Sequence, residues 1–153
     1  MNDLEWIRES NLIENVDDSE EDNRSIIAWQ QLLDCPWQEA TILNLHEMIM
    51  CQLRPDIAGK FRTCDVEVGM VTCPPWQEVK TKMREWLWYW NRYPVLRPNA
   101  IQYSHVQFEK IHPFEDGNGR VGRMLMNWLR VSRGFEPLLI KAAERQEYYK
   151  WFR

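Results

Sequence analysis

Between Lys110 and Asn127 the chain reads KIHPFEDGNGRVGRMLMN, with His112, Asp116, Arg120 and Arg123 grouped around a Gly117-Asn118-Gly119 turn. Pro113 disfavours helical geometry for the histidine before it and marks an element boundary. The two glycines let a ligand come close to main-chain N–H groups. The turn feeds a helical pattern whose first turn carries Arg120 and Arg123, three apart and on one face. A glycine-bearing loop, a helix N-terminus and two arginines together describe a polyphosphate site. Asp116 is placed to hold Mg²⁺, which commonly takes one carboxylate, phosphate oxygens and water. His112, with an ordinary pKa of about 6.5, suits a general base at neutral pH. Each feature alone is common: a structural histidine, a turn, a solvated basic face. The spacing matches neither a P-loop nor a dinucleotide fingerprint. The conjunction within so few residues is what points to chemistry.

The elements that position this loop read mostly as helices, over 4–14, 24–33, 41–53, 79–91, 99–111, 119–133 and 142–152. Asn15 suits a left-handed C-terminal cap. The acidic run Asp17 to Asp22 reads as a solvated linker and N-capping region. The period changes in GKFRTCDVEVGMVTCPP, where Val66, Val68 and Met70 alternate between glycine and Pro-Pro. That pattern predicts extended chain or a hairpin over 59–75. In EWLWYWNRY, Trp86, Trp90 and Tyr93 fall at i, i+4 and i+7 and predict a core-facing stripe, with Trp88 and Arg92 off it. The expected fold class is mainly α: one domain over 1–153, a helical bundle carrying one small β-hairpin.

At 153 residues the chain can bury a core of its own. A net charge of −4 disfavours nucleic acid as a partner. A mean hydropathy of −0.57 and no long uncharged apolar run argue against a membrane span. The charged N-terminus does not read as a secretory signal. Cys35, Cys51, Cys64 and Cys73 form no C-x-x-C pair, so free thiols in a reducing, cytoplasmic compartment are expected.

The segment His112 to Arg123 resembles the signature of the Fic (filamentation induced by cAMP) family, H-P-F-x-D/E-G-N-G-R-x-x-R, at every specified position. The resemblance extends to SNLIEN, to the 59–75 segment and to EYYKWF, and so covers most of the chain. It implies the Fic fold and a protein adenylyltransferase, which moves AMP from ATP to a Ser, Thr or Tyr hydroxyl of a target protein and releases pyrophosphate. By that similarity His112 deprotonates the hydroxyl, and Asp116 holds Mg²⁺. Asn118 and the backbone of Gly117 and Gly119 bind phosphate oxygens; Arg120 and Arg123 neutralise the outer phosphates; Val121 and Gly122 complete the stretch. Phe114 is expected to anchor the loop in the core. Residues 59–75 match the family's flap, which takes up an extended piece of the target protein by strand addition. There Val68, Gly69, Met70 and Val71 would line the nucleotide, and Tyr148 and Tyr149 would lie beside the adenine.

The run Ser10 to Asn15 looks like the family's inhibitory motif, S/T-x-x-x-E-G/N, within a segment at 1–16. Ser10 and Glu14 share a helix face. In relatives this glutamate pairs with the second arginine of the signature, here Arg123, in place of the γ-phosphate. The same glutamate serves AMP removal in some relatives, and the sequence leaves that second activity open. It also leaves open transfer of UMP, phosphocholine or phosphate, a regulatory module that binds nucleotide without turnover, and a homo-oligomer.

Overall fold

A computed structural model describes residues 2–69, 71–92 and 97–152. Asp3–Ile13 (α1), Ser19–Leu33 (α2) and Glu39–Met50 (α3) precede a two-stranded antiparallel hairpin, Glu67–Val68 (β1) and Val71–Thr72 (β2). Then come Trp76–Arg92 (α4), Pro98–Ile111 (α5), Asn118–Ser132 (α6) and Arg145–Tyr149 (α7), the last flanked by 3-10 turns at Ala142–Glu144 and Lys150–Phe152. Among the described residues no helix is long and apolar enough to cross a membrane.

The central element is α6, buried from Asn118 to Leu129 apart from Gly119. Its Val121, Met124, Leu125 and Trp128 meet Phe108 of α5, Ile42, Leu45 and Ile49 of α3 and Ile7 of α1 in one apolar cluster. A helix buried on its polar as well as its apolar face needs neighbours all round, and α1, α2, α3 and α5 supply them. Trp86 and Trp90 lie in the core as the stripe predicts, and Trp88 is exposed. Tyr93 lies outside the described residues. All four cysteines are free thiols.

Two local expectations need correction. The acidic run caps as expected, with Asp18 accepting from the Glu20 N–H at 2.7 Å, but only its start is a solvated link, since Glu21 and Asp22 are buried in the first turn of α2. Carboxylates favour that end of a helix, where N–H groups are unpaired, and Asp22 also accepts from Asn11 at 2.7 Å. Residues 142–152 form three short turns of mixed helix type, because Tyr148 and Phe152 must both pack against His105.

Candidate active site

The loop from His112 to Gly117 joins α5 to α6 and is held rigidly from below. His112 caps α5 in the left-handed region, with φ of 49°. Phe114 is fully buried and stacks on the His46 ring at 3.8 Å and 3°. His46 accepts from the Gly59 N–H at Nδ1, so its Nε2 proton goes to the Asp116 carbonyl, each at 3.0 Å. Burial lowers its pKa, in keeping with a neutral bridging ring. Asn118 accepts from the Phe114 N–H and donates to the Phe114 carbonyl, both at 2.9 Å. The Asn118 side chain thus ties the loop's own backbone, while its backbone N–H stands in the first turn of α6.

Arg62 fixes the loop to the base of the hairpin. Its buried guanidinium donates to the carbonyls of His112 at 2.7 Å, Cys64 at 2.8 Å and Pro74 at 2.6 Å. Its backbone N–H donates to Pro113 at 2.9 Å. In the sequence this arginine sits within GKFR with no local sign of a role. A buried guanidinium with carbonyl partners from two segments is a clamp, since each donor needs an acceptor.

Gly117, with φ of 83°, opens α6, whose first N–H groups have no helical partner. Into this end comes the carboxylate of Glu14. Arg123 is 2% exposed and donates from Nε to Ser10 Oγ at 2.8 Å, from Nη2 to the Ser10 carbonyl at 2.9 Å and to Glu14 Oε1 at 2.8 Å. Its Nη1 donates to Tyr148 Oη at 3.2 Å. Burial works against the charge of Arg123, yet Tyr148 and Glu14 outweigh it and raise the pKa. A Cβ at Gly119 would fall inside the Glu14 carboxylate, so the bare glycine forms the cradle it occupies. Asn15 takes the expected left-handed turn, with φ of 59°, and its Oδ1 accepts from Arg145 at 3.1 Å.

Arg120 is buried, donates to Met50 Sδ at 2.8 Å, and leaves Nε and Nη1 without a partner among the described residues. Burial lowers its pKa, and Asp116 is the strongest opposing influence. A guanidinium so poorly paired beside an anion cradle fits a polyphosphate. Asp116 is exposed at the loop mouth, with Oδ1 accepting from the Gly117 N–H at 2.6 Å. Among the described residues no three His, Cys, Asp or Glu cluster to hold a metal. One exposed carboxylate beside a phosphate cradle nonetheless fits Mg²⁺, which takes its remaining ligands from phosphates and water.

The other expected residues divide. Val121 is fully buried, and Gly122 packs against His105 and Glu109 of α5, so neither reaches the loop mouth. Tyr148 is buried, with its hydroxyl between Arg123 and His105, and burial raises its pKa; Tyr149 is half-buried beside it. Val68 and Gly69 are exposed on the hairpin, and Val68 pairs with Val71. Met70 lies outside the described residues.

Two further residues escaped sequence reasoning. His105 donates to or accepts from Tyr148 Oη at 2.8 Å, and burial followed by Arg123 pushes its pKa down to about 3. Glu109 lies beside it, and burial pushes its carboxyl up to about 8, against the pull of Arg123. The signal was present, since positions 105, 109 and 112 follow i, i+4, i+7 on one helical face.

The model of the Fic/DOC family matches residues 36–129. The chain is 32% identical over 113 residues to Protein adenylyltransferase Fic of Nematostella vectensis, covering 72% of this chain and 26% of the relative. To Protein adenylyltransferase Fic of Drosophila persimilis it is 33% identical over 115 residues, covering 73% and 23%. The chain thus spans about a quarter of the length of the curated relatives it matches. A Fic domain containing signaling protein from Bacteroides thetaiotaomicron superposes with a TM-score of 0.84 at 20% identity, over 96% of this chain and 69% of that one. Fic-1 from C. elegans gives a TM-score of 0.79 at 21% identity, over 96% and 53%. At such identities these structures speak to the fold, which is the Fic fold.

Proposed function

This chain belongs to the Fic/DOC family, and on that premise we propose that it is a protein adenylyltransferase held inactive by its own first helix. The observation that carries the reading is the Glu14 carboxylate in the cradle formed by Gly119, Arg123 and the start of α6. A carboxylate there shows that the cradle accepts an anion, as helix N-termini do. In the active state the terminal phosphates of ATP take that place, with Arg123 as their charge partner and Arg120 beside them.

Catalysis then rests on position and charge. His112 donates from Nδ1 to the Glu109 carbonyl at 3.3 Å, which leaves the Nε2 lone pair for the target hydroxyl. Burial lowers the pKa of His112 and keeps the ring neutral and ready to accept a proton. The deprotonated oxygen attacks the α-phosphorus, the bond to the bridging oxygen breaks, and pyrophosphate leaves. Asp116 would hold Mg²⁺, whose positive charge, when bound, offsets the charge gathering on the pyrophosphate. The N–H groups of the first turn of α6 orient the phosphates. An extended segment of a target protein docks on the exposed hairpin edge. Four free thiols, two of them exposed, support a cytoplasmic setting.

Glu14→Gly tests the reading. With ATP carrying label on the α-phosphate, and with Mg²⁺, this variant should label itself at least tenfold more than the parent. Adding His112→Ala should abolish the label. Equal labelling of parent and Glu14→Gly would overturn the inhibition, and labelling that survives His112→Ala would overturn the assigned base.

A further inference from the structure

Glu109 lies one helical turn before His112 on α5, and its surroundings are unusual for a glutamate. Its side chain is 12% exposed, with Oε2 at 3.9 Å from His112 Nδ1. Its Oε1 is 4.0 Å from His105 Nε2 and has no hydrogen-bond partner among the described residues. Gly122 closes the site from α6: a Cβ there would stand 2.6 Å from Glu109 Oε1. A methyl group at 122 would therefore part the two helices. The carboxyl is sealed between α5 and α6, with one oxygen turned toward the ring of the base. Its own backbone carbonyl takes the proton of that ring.

We propose that Glu109 is a positioning residue for His112, holding Nδ1 inward through its carbonyl and placing its carboxyl where, once ionised, its negative charge stabilises the imidazolium. The inference rests on His112 being the base of the proposed reaction. It moves no proton onto or off Glu109 in the chemical step; the hydroxyl proton goes to His112 Nε2. What Glu109 contributes is an ionisation equilibrium coupled to that of the ring. Burial, opposed by Arg123 and reinforced by Glu14, keeps it protonated to about pH 8, so the sealed carboxyl is uncharged beside a neutral ring. The other charges facing the pair are Arg62, which disfavours charge on His112, and Glu14 and Asp116, which favour it. His105 stays neutral against Tyr148, and the Cys73 thiol is held up by burial. Once Glu109 ionises, a carboxylate at 3.9 Å stabilises the imidazolium directly. Adenylyl transfer should then speed up as the pH passes through the pKa of Glu109.

Glu109→Gln keeps the shape and removes the charge. The chain has three histidines, so the C2–H signal of His112 can be assigned by its loss in His112→Ala and followed with pH. In the parent it should show two inflections, its own and a second near pH 8 from Glu109; in Glu109→Gln only the first remains. A single inflection in the parent, or a second one that survives Glu109→Gln, overturns the proposal. In the Glu14→Gly background, Glu109→Gln should lower kcat about tenfold above pH 8, where the parent's Glu109 carries its charge, and leave it nearly unchanged at pH 7. The KM for ATP should stay the same, and the alkaline rise in kcat should vanish. An unchanged kcat and pH profile would also overturn it. If Glu14→Gly transfers no AMP at all, the functional reading fails, while the His112 titration still decides the coupling. If Glu109→Gln does not fold, the parent's second inflection decides alone.

Discussion

The loop from His112 to Arg123 and the hairpin at 67–72 are both tied to Arg62, and they are built to opposite specifications. The framework of the loop is fixed by buried hydrogen bonds, Asn118 to Phe114, His46 to the Asp116 carbonyl, and Arg123 to Ser10, Glu14 and Tyr148, around an Arg120 that keeps two nitrogens unpartnered among the described residues. The hairpin pairs only Glu67 with Thr72 and Val68 with Val71, and both residues of β1 are exposed. In the proposed reaction the loop must hold atoms in place to a fraction of an ångström, and the hairpin must accept a segment of another protein. Buried, satisfied polar groups give the first. An exposed, unpaired strand edge gives the second.

Arg123→Ala tests the contrast hardest, because it leaves Ser10, Glu14 and Tyr148 around a vacated site. Glu14 keeps a third of its side chain in solvent, so the loss comes mainly from the buried Ser10 and Tyr148 acceptors left unpaired and should be about 3 kcal/mol, a fall of roughly 8 °C in Tm for a domain of this size. A fall under about 3 °C by calorimetry would mean the loop is far less committed than its hydrogen bonds imply. Arg62→Lys comes next. A lysine cannot reach carbonyls of both segments at once, and the loss should be about 3 kcal/mol. Amide exchange should rise most between Arg62 and Cys73, the stretch where loop and hairpin are tied together. If exchange rises equally throughout, Arg62 is not the tie.

A smaller effect comes from pH. An unfolded glutamate ionises near 4.5, while folded Glu109 keeps its proton to about 8. Between those values the unfolded chain binds fewer protons, so this group lowers stability as pH rises. His105 works the other way: unfolded it gains a proton below 6.5, folded only near 3, so stability rises with pH over that span. The two offset from 4.5 to 6.5, and from 6.5 to 8 Glu109 acts alone. Stability should therefore fall by about 2 kcal/mol between pH 6.5 and 8, and Glu109→Gln should flatten that limb in urea titrations. The least effect belongs to the hairpin: Val68→Ala should change stability by less than about 0.5 kcal/mol. A loss above about 1 kcal/mol would show the hairpin to be part of the packed body.

The same contrast explains what could be read from the sequence. The loop is legible because its chemistry is local: His112, Asp116, Gly117 and Arg123 lie within one stretch whose residue types and spacing describe a phosphate site. The helices are legible wherever one face is apolar, and α6 was expected within a residue of its observed start and end. Three things were not. Asn118 has a second role that only the fold reveals, bringing both ends of its amide to the Phe114 backbone. Gly122 looks like part of a glycine-rich loop, whereas its reason is the closeness of α5, which no local pattern carries. Arg62 is one arginine among many until three carbonyls, two of them distant in sequence, converge on it. Long-range convergence of polar groups is what the sequence hides.

Four residues, from Asn15 to Asp18, separate the C-cap Glu14 from the first residue of α2. In the proposed inhibited state the Glu14 carboxylate is therefore a tethered ligand, with an effective concentration at its arginine of about the millimolar order that short linkers produce. A free nucleotide competes against that local concentration rather than against an ordinary solute. Under that proposal a nucleotide at a comparable concentration would bring the contest near balance, and shifts of about 1.4 kcal/mol in either contact would alter occupancy about tenfold.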